Sequence, residues 1–125
     1  MIGVTDAGNI LYRDCKRFGI EVKQSYSVPT GLKERIVINT NAQLRETYFK
    51  KGWVNVNFVV PNLKSGNANL IRLEEVEEMA KTLEGNGWYK DSYYRYSPYS
   101  IELIKDEIDA HFINCRVLFE VLNVK

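Results

Sequence analysis

The sequence predicts an α+β domain: a mainly antiparallel sheet of about four strands with two amphipathic helices packed on one face. Three observations predict it. Between Trp53 and Val60 the residues alternate strictly, with Val54, Val56, Phe58 and Val60 on one side of an extended chain and Trp53, Asn55, Asn57 and Val59 on the other. Leu70, Leu73, Val76, Met79, Ala80 and Leu83 recur every three to four positions, the spacing of a helix with one apolar stripe. From His111 to Val121 the alternation returns, with Ile113, Cys115, Val117, Phe119 and Val121 on one side and Asn114, Arg116 and Glu120 on the other. A chain of 125 residues fits one domain, 1–125, whose core is large enough to fold without metal or disulfide staples.

Taken in order, the first element is a helix from Thr5 or Asp6 to Phe18, because Ala7, Ile10, Leu11, Cys15 and Phe18 fall near helical spacing. Gly19 stands where a left-handed terminating residue is wanted, and Lys16 and Arg17 suit the negative end of the helix dipole. Ile20 to Val28 has room for a short strand before Pro29 and Gly31 mark a turn. The β-branched run Ile36-Val37-Ile38 predicts a strand over Glu34 to Thr40. Asn41 to Lys51, with Tyr48 and Phe49, reads as a connection into the alternating strand. After a loop from Pro61 to Ala68, Asn69 is placed to cap the second helix, and Gly85 to end it. Its other side carries Glu74, Glu75, Glu77, Glu78 and Lys81. A tyrosine-rich stretch, Tyr89 to Tyr99, precedes a weak strand over Ile101 to Ile108 and the strong one from His111.

Composition narrows the chemistry. The chain is 45% hydrophobic and 26% charged, and 17 basic residues against 16 acidic ones leave a net charge of +1. Such a balance offers little to a phosphate backbone or to an anionic membrane surface. There is no run of about eighteen apolar residues to span a membrane and no signal-peptide pattern, so the expected compartment is a cytosol. Cys15 and Cys115 read as two reduced, buried thiols acting as small hydrophobes. His111 is the one histidine, which removes every metal motif built on a histidine pair. Gly31-Leu32-Lys33 lacks the first glycine and the hydroxyl residue of a phosphate loop. Asp106, Glu107 and Asp109 near His111 have the residue types for a divalent cation and an activated water, but a polar hairpin tip, where acids are common, is the favoured reading. No cofactor or metal is expected. The tyrosines between Lys90 and Arg95 suit stacking on unpaired bases, a protein interface, or a loop folded back on the domain; the near-zero charge ranks the interface first.

The succession of an N-terminal helix, Glu34-Arg35-Ile36-Val37-Ile38-Asn39, the strand Gly52 to Asn62 with its alternating asparagines, a helix from near Leu70 to near Leu83, and the closing strand His111 to Val121 resembles bacteriophage or prophage tail-terminator and head-tail joining proteins. The likeness spans nearly the whole chain and rests on element order. Where that family often has Pro-Asp after the β-run, this chain has Pro61-Asn62, and Tyr89 to Tyr99 has no counterpart. The resemblance implies a structural protein of the virion tail or neck and not an enzyme. Such proteins assemble in the host cytoplasm as homo-oligomeric rings, commonly hexamers, that cap the tail tube and meet the head connector, with DNA passing through but not specifically bound. A ring needs two different contact patches on each subunit. Trp53 and Val59, together with Tyr89, Tyr93, Tyr94, Tyr96 and Tyr99, are the candidate patches, unless they carry a second covering layer of the monomer; Glu74, Glu75 and Glu78 are candidates to face the channel. The competing expectations are a small metal-dependent nuclease and a nucleic-acid-binding module of a mobile element.

Overall fold

In the computed structural model, strands β1 (Val22–Gln24), β2 (Arg35–Thr40), β3 (Lys51–Pro61), β4 (Gly85–Tyr89), β5 (Ser92–Lys105) and β6 (Ala110–Val124) form one sheet in the order β1-β2-β3-β6-β5-β4. The structure describes residues 2–24, 33–40, 51–105 and 109–124. The expected turn at Pro29 and Gly31, the connection bearing Tyr48 and Phe49, and Asp106, Glu107 and Ile108 lie outside the described residues. Helix α1 (Val4–Cys15) runs into a 3₁₀ turn at Lys16–Phe18, and α2 (Leu70–Lys81) lies between β3 and β4.

The α+β class holds, but the expectation of about four antiparallel strands is corrected to six strands in a mixed sheet. β1 runs parallel to β2, with Val22 opposite Ile36, while the other neighbours are antiparallel. β4 is the strand that local propensity hides. Gly-Asn-Gly is poor strand material, yet Gly85 pairs with Tyr96 and Gly87 with Tyr94. A Cβ on Gly85 would stand 2.9 Å from the Tyr96 hydroxyl, and one on Gly87 would stand 3.2 Å from that of Tyr94. The two tyrosine rings therefore lie across the glycines and supply the apolar cover the glycines lack. Lys90 and Asp91, with φ of 48° and 64°, close this hairpin in the left-handed conformation that a two-residue turn uses. Gly85 accordingly begins a strand; α2 stops earlier, at Lys81, where the Thr82 hydroxyl donates to the Met79 carbonyl at 2.7 Å.

The helix starts and stops otherwise follow local chemistry. The Gly3 amide donates to Asp6 Oδ2 at 3.0 Å, Gly19 takes φ 72° at the end of the 3₁₀ turn, and Asn69 Oδ1 accepts the Arg72 amide at 3.3 Å. Both helices lie on the same face of the sheet. Ala7, Ile10, Leu11 and Cys15 of α1 and Leu73, Val76 and Ala80 of α2 join Ile36, Ile38, Val54, Val56, Phe58, Val117 and Phe119 in one core. Burying each of the larger side chains contributes about 1.5–3 kcal/mol.

The sheet curls around this core. α1 packs on β1 and β2 near one edge, yet its side chains also reach the hairpin at the other edge: Arg13 Nη2 donates to the Tyr94 hydroxyl at 2.9 Å, the Tyr96 hydroxyl donates to Asp14 Oδ2 at 2.6 Å, and Lys90 pairs with Asp6 at 3.0 Å. The β5–β6 register shifts twice, at Leu122 of β6, between the pairs of Tyr93 and Tyr94, and at Tyr99 of β5, between those of Pro98 and Ser100; such bulges bend a strand and add to its twist. Among the described residues, no helix is long and apolar enough to cross a membrane.

Candidate interaction surface

One face of the sheet carries the helices; the other, formed by the opposite residues of the same strands, is the candidate surface. Alternation along β3 turns Lys51, Trp53, Asn55, Asn57 and Val59 outward, and the register with β6 sets them opposite Glu120, Leu118, Arg116, Asn114 and Phe112. No described helix lies on this side. Its most exposed portion is aromatic. Trp53, 41% exposed, meets Tyr99, 65% exposed, edge to face at 4.6 Å between ring centroids, and the Arg116 guanidinium lies 5.9 Å from the Trp53 ring centre. Leu118 sits between them in register, opposite Trp53 on one side and Ser97 on the other. Tyr99 reaches this face by alternation from Tyr96, and the bulge at Tyr99 then keeps Ser100 on the same side, opposite Arg116.

Next to the aromatic group runs a polar band. Asn114 Nδ2 donates to Asn57 Oδ1 at 2.6 Å and approaches Asn55 Oδ1 at 3.4 Å, so the alternating asparagines satisfy one another across two strands. Toward the β4 edge, Trp88 and Tyr93 pair edge to face at 5.3 Å, and the Tyr93 hydroxyl donates to Asn86. Leu122 is exposed on β6 nearby in sequence to this register shift. Cations outnumber carboxylates on this face: Lys23, Lys51, Arg95 and Arg116 are exposed, against exposed Glu102, opposite Asn114, and Glu120, which answers Arg95 at 3.3 Å.

The structure separates the sequence-predicted patch residues. Trp53, Tyr93 and Tyr99 belong to the outward face. Tyr94 and Tyr96 do not: each is 3% exposed, stacked with Phe119 at 5.4 and 5.9 Å and hydrogen-bonded to α1, and their candidacy as surface contacts is corrected to core residues. Burial, helped by the Asp14 carboxylate, pushes the Tyr96 phenol well above its ordinary range, so it stays a neutral donor. Tyr89 sits half-buried on the core side, opposite Ser92, with the Lys90 ammonium 5.7 Å from its ring centre. Val59 is on the outward face but only 5% exposed, because it stands between Arg35 and Phe112 and is too short to project past them. It too is corrected from a contact residue to a covered one.

Glu74, Glu75 and Glu78 lie exposed on the side of α2 that faces away from the sheet, with Glu75 3.6 Å from Arg72 and Glu78 2.9 Å from Lys81. Ile71, 77% exposed, starts the same stripe. Sequence reading missed this residue and Trp88; their signal is a large apolar side chain out of phase with the buried stripe of its helix or beside glycines. Around the start of α2, Leu63, Asn67, Ala68, Asn69, Leu70 and Ile71 line an open groove of about 630 Å³.

Of the candidate cation group, Asp109 and His111 lie among the described residues. His111 Nδ1 shares a hydrogen bond with Asn62 Oδ1 at 2.8 Å, the Asn62 amide donates to the Asp109 carbonyl, and among the described residues no three of His, Cys, Asp and Glu come together to hold a metal. Cys15 and Cys115 are both buried, their thiols pushed up to about 12 chiefly by burial. The chain matches no protein-family model, no curated protein and no solved structure.

Proposed function

We propose that this chain is an assembly protein that works by gripping other proteins with the outer face of its sheet, and that its role is the one its element order resembles: a phage or prophage tail-completion subunit. The carrying observation is the contrast between the two sides of one sheet. One side is covered by α1 and α2, while the other presents Trp53, Tyr99, Leu118 and Arg116. Aromatic and arginine side chains grouped on an exposed face are the residues that interfaces favour, since they bury large rigid areas and keep a polar edge. On this reading the ring meets the tail tube and the head connector, DNA passes without specific contacts, and the protein ends in the tail or neck of the virion. The order helix, strands, helix, strands supports the assignment, and the short β1 and the unforeseen β4 extend the sheet at its edges without disturbing that order.

Electron micrographs of particles made with and without the gene test the role. Overlong, headless tails are expected in its absence, and normal particles would overturn it. A second comparison uses Trp53→Ala with Tyr99→Ala, which should reproduce the deletion defect although the chain still folds.

A further inference from the structure

The outward stripe of α2 and the outer face of the sheet carry opposite charge, although the chain as a whole is close to neutral. On α2, positions 71, 74, 75 and 78 follow one another at three- and four-residue steps and form one outward stripe: Ile71, then Glu74, Glu75 and Glu78, all exposed. Leu70, 60% exposed, and Leu63, 48% exposed, widen the apolar end of that stripe. On the other side of the molecule the sheet presents the matching set. Trp53 and Tyr99 are exposed with half-buried Leu118 between them, and Lys51 and Arg116 stand beside this group, the intervening Glu120 being paired with Arg95. Among the described residues neither Lys51 nor Arg116 takes part in an ion pair, and neither does Glu74.

We infer that the occupant of the outer sheet face is α2 of a second copy of this chain, joined head to tail, with Ile71 and Leu70 against Trp53, Tyr99 and Leu118, and Glu74, Glu75 and Glu78 facing Lys51 and Arg116. The inference rests on the assembly reading above and gives it a partner. It is physically economical, because a sheet bare on one side acquires a helix on that side, the arrangement in which sheets bury both faces. It also accounts for a carboxylate stripe ending in an exposed isoleucine, which a merely solvated helix does not need. Because the two patches differ and lie on opposite layers, the contact is heterologous, and each copy keeps one patch open for the next. The carboxylates of α2 then belong to the joint between subunits and not to a channel wall.

The test is sedimentation of the full chain from micromolar to near-millimolar concentration at low and high salt. The wild type should associate, and more weakly as salt screens the joint. Glu74→Lys with Glu75→Lys and Glu78→Lys, and separately Lys51→Glu with Arg116→Glu, should each weaken self-association by about a hundredfold or more, since like charges then meet. An equimolar mixture of the two variants should associate again, because every junction in it joins opposite charges. Circular dichroism and melting curves matching the wild type exclude misfolding as the cause. A wild type that stays monomeric throughout, a mixture that fails to associate, or a helix variant that associates normally each overturns the inference. The last result, with the sheet variant alone impaired, would leave the outer face as a grip for another occupant. The tail phenotype of the gene deletion decides the tail-completion reading independently of all three.

Discussion

Tyr96 and Tyr99 stand three residues apart on one strand and serve opposite ends. Tyr96 is 3% exposed, stacked on Phe119 and bonded to Asp14 of α1; Tyr99 is 65% exposed and touches Trp53. In an unbroken strand an odd spacing already reverses the face, but the bulge between Pro98 and Ser100 then lets Ser100 share the outward side with Arg116. The difference teaches that the tyrosine-rich stretch is two populations. The inward rings hold the curled sheet against α1 and cover Gly85 and Gly87, whereas the outward aromatics Trp53 and Tyr99 stand exposed on the other side of the sheet.

The strongest way to break this distinction is at the hub of the inward group. Phe119→Ala should cost about 3–5 kcal/mol in urea unfolding, since a fully buried ring leaves a cavity against Tyr94 and Tyr96. A loss below about 1 kcal/mol would mean the stack is not part of the core. Alkaline pH acts on the same interior. The folded-state values of Cys15 and Cys115 are raised from 9.0 to about 12, so the stability they contribute is whole below pH 9 and is lost as the pH climbs from 9 toward 12. The slope is roughly 1.4 kcal/mol per pH unit for each thiol. Tyr96, also shifted upward, adds in the same direction above the ordinary phenol range. Thermal melts between pH 9 and pH 10 should fall steeply for the wild type and less for Cys15→Ala with Cys115→Ala; equal slopes would place the thiols in contact with water.

A finer test removes one hydroxyl. Tyr96→Phe keeps the ring over Gly85 and deletes the donor to Asp14, and should cost about 1–1.5 kcal/mol because water still reaches that carboxylate. The smallest effect on folding belongs to the outward group: Trp53→Ala and Tyr99→Ala should each shift stability by only about 0.5–1 kcal/mol. Their consequence should appear in assembly. If either unfolds the domain as Phe119→Ala does, the two populations are one, and the outer face is part of the core.

Much of the framework was legible from spacing. Both helices, the strand centred on Val56, the closing strand on Cys115 and the left-handed Gly19 lie where periodicity and capping residues put them. Trp53 was legible as a surface residue, because alternation with Val54 and Val56 sends it to the far face. Tyr94 and Tyr96 were not read as core, although Ser92, Tyr94 and Tyr96 also alternate, because tyrosine suits either side of a sheet and composition drew attention to the cluster as a whole. Val59 shows the converse error: its face was right, and its burial depended on which residues of β2 and β6 came to flank it.

By itself the sequence determined the elements whose stabilising contacts are near in the chain: a helix is read from residues three and four apart, and a half-buried strand from every second residue. The tertiary structure alone decided that Gly85 to Tyr89 is a strand, that β1 joins in parallel, and that β5 slips register at two places. Each of these depends on a partner distant in sequence. Gly85 is held by a ring eleven residues away, and a bulge exists only relative to the strand opposite it; alternation separates Tyr94 and Tyr96 from their neighbours, but pairing with β6 decides which of the two sets faces the helices.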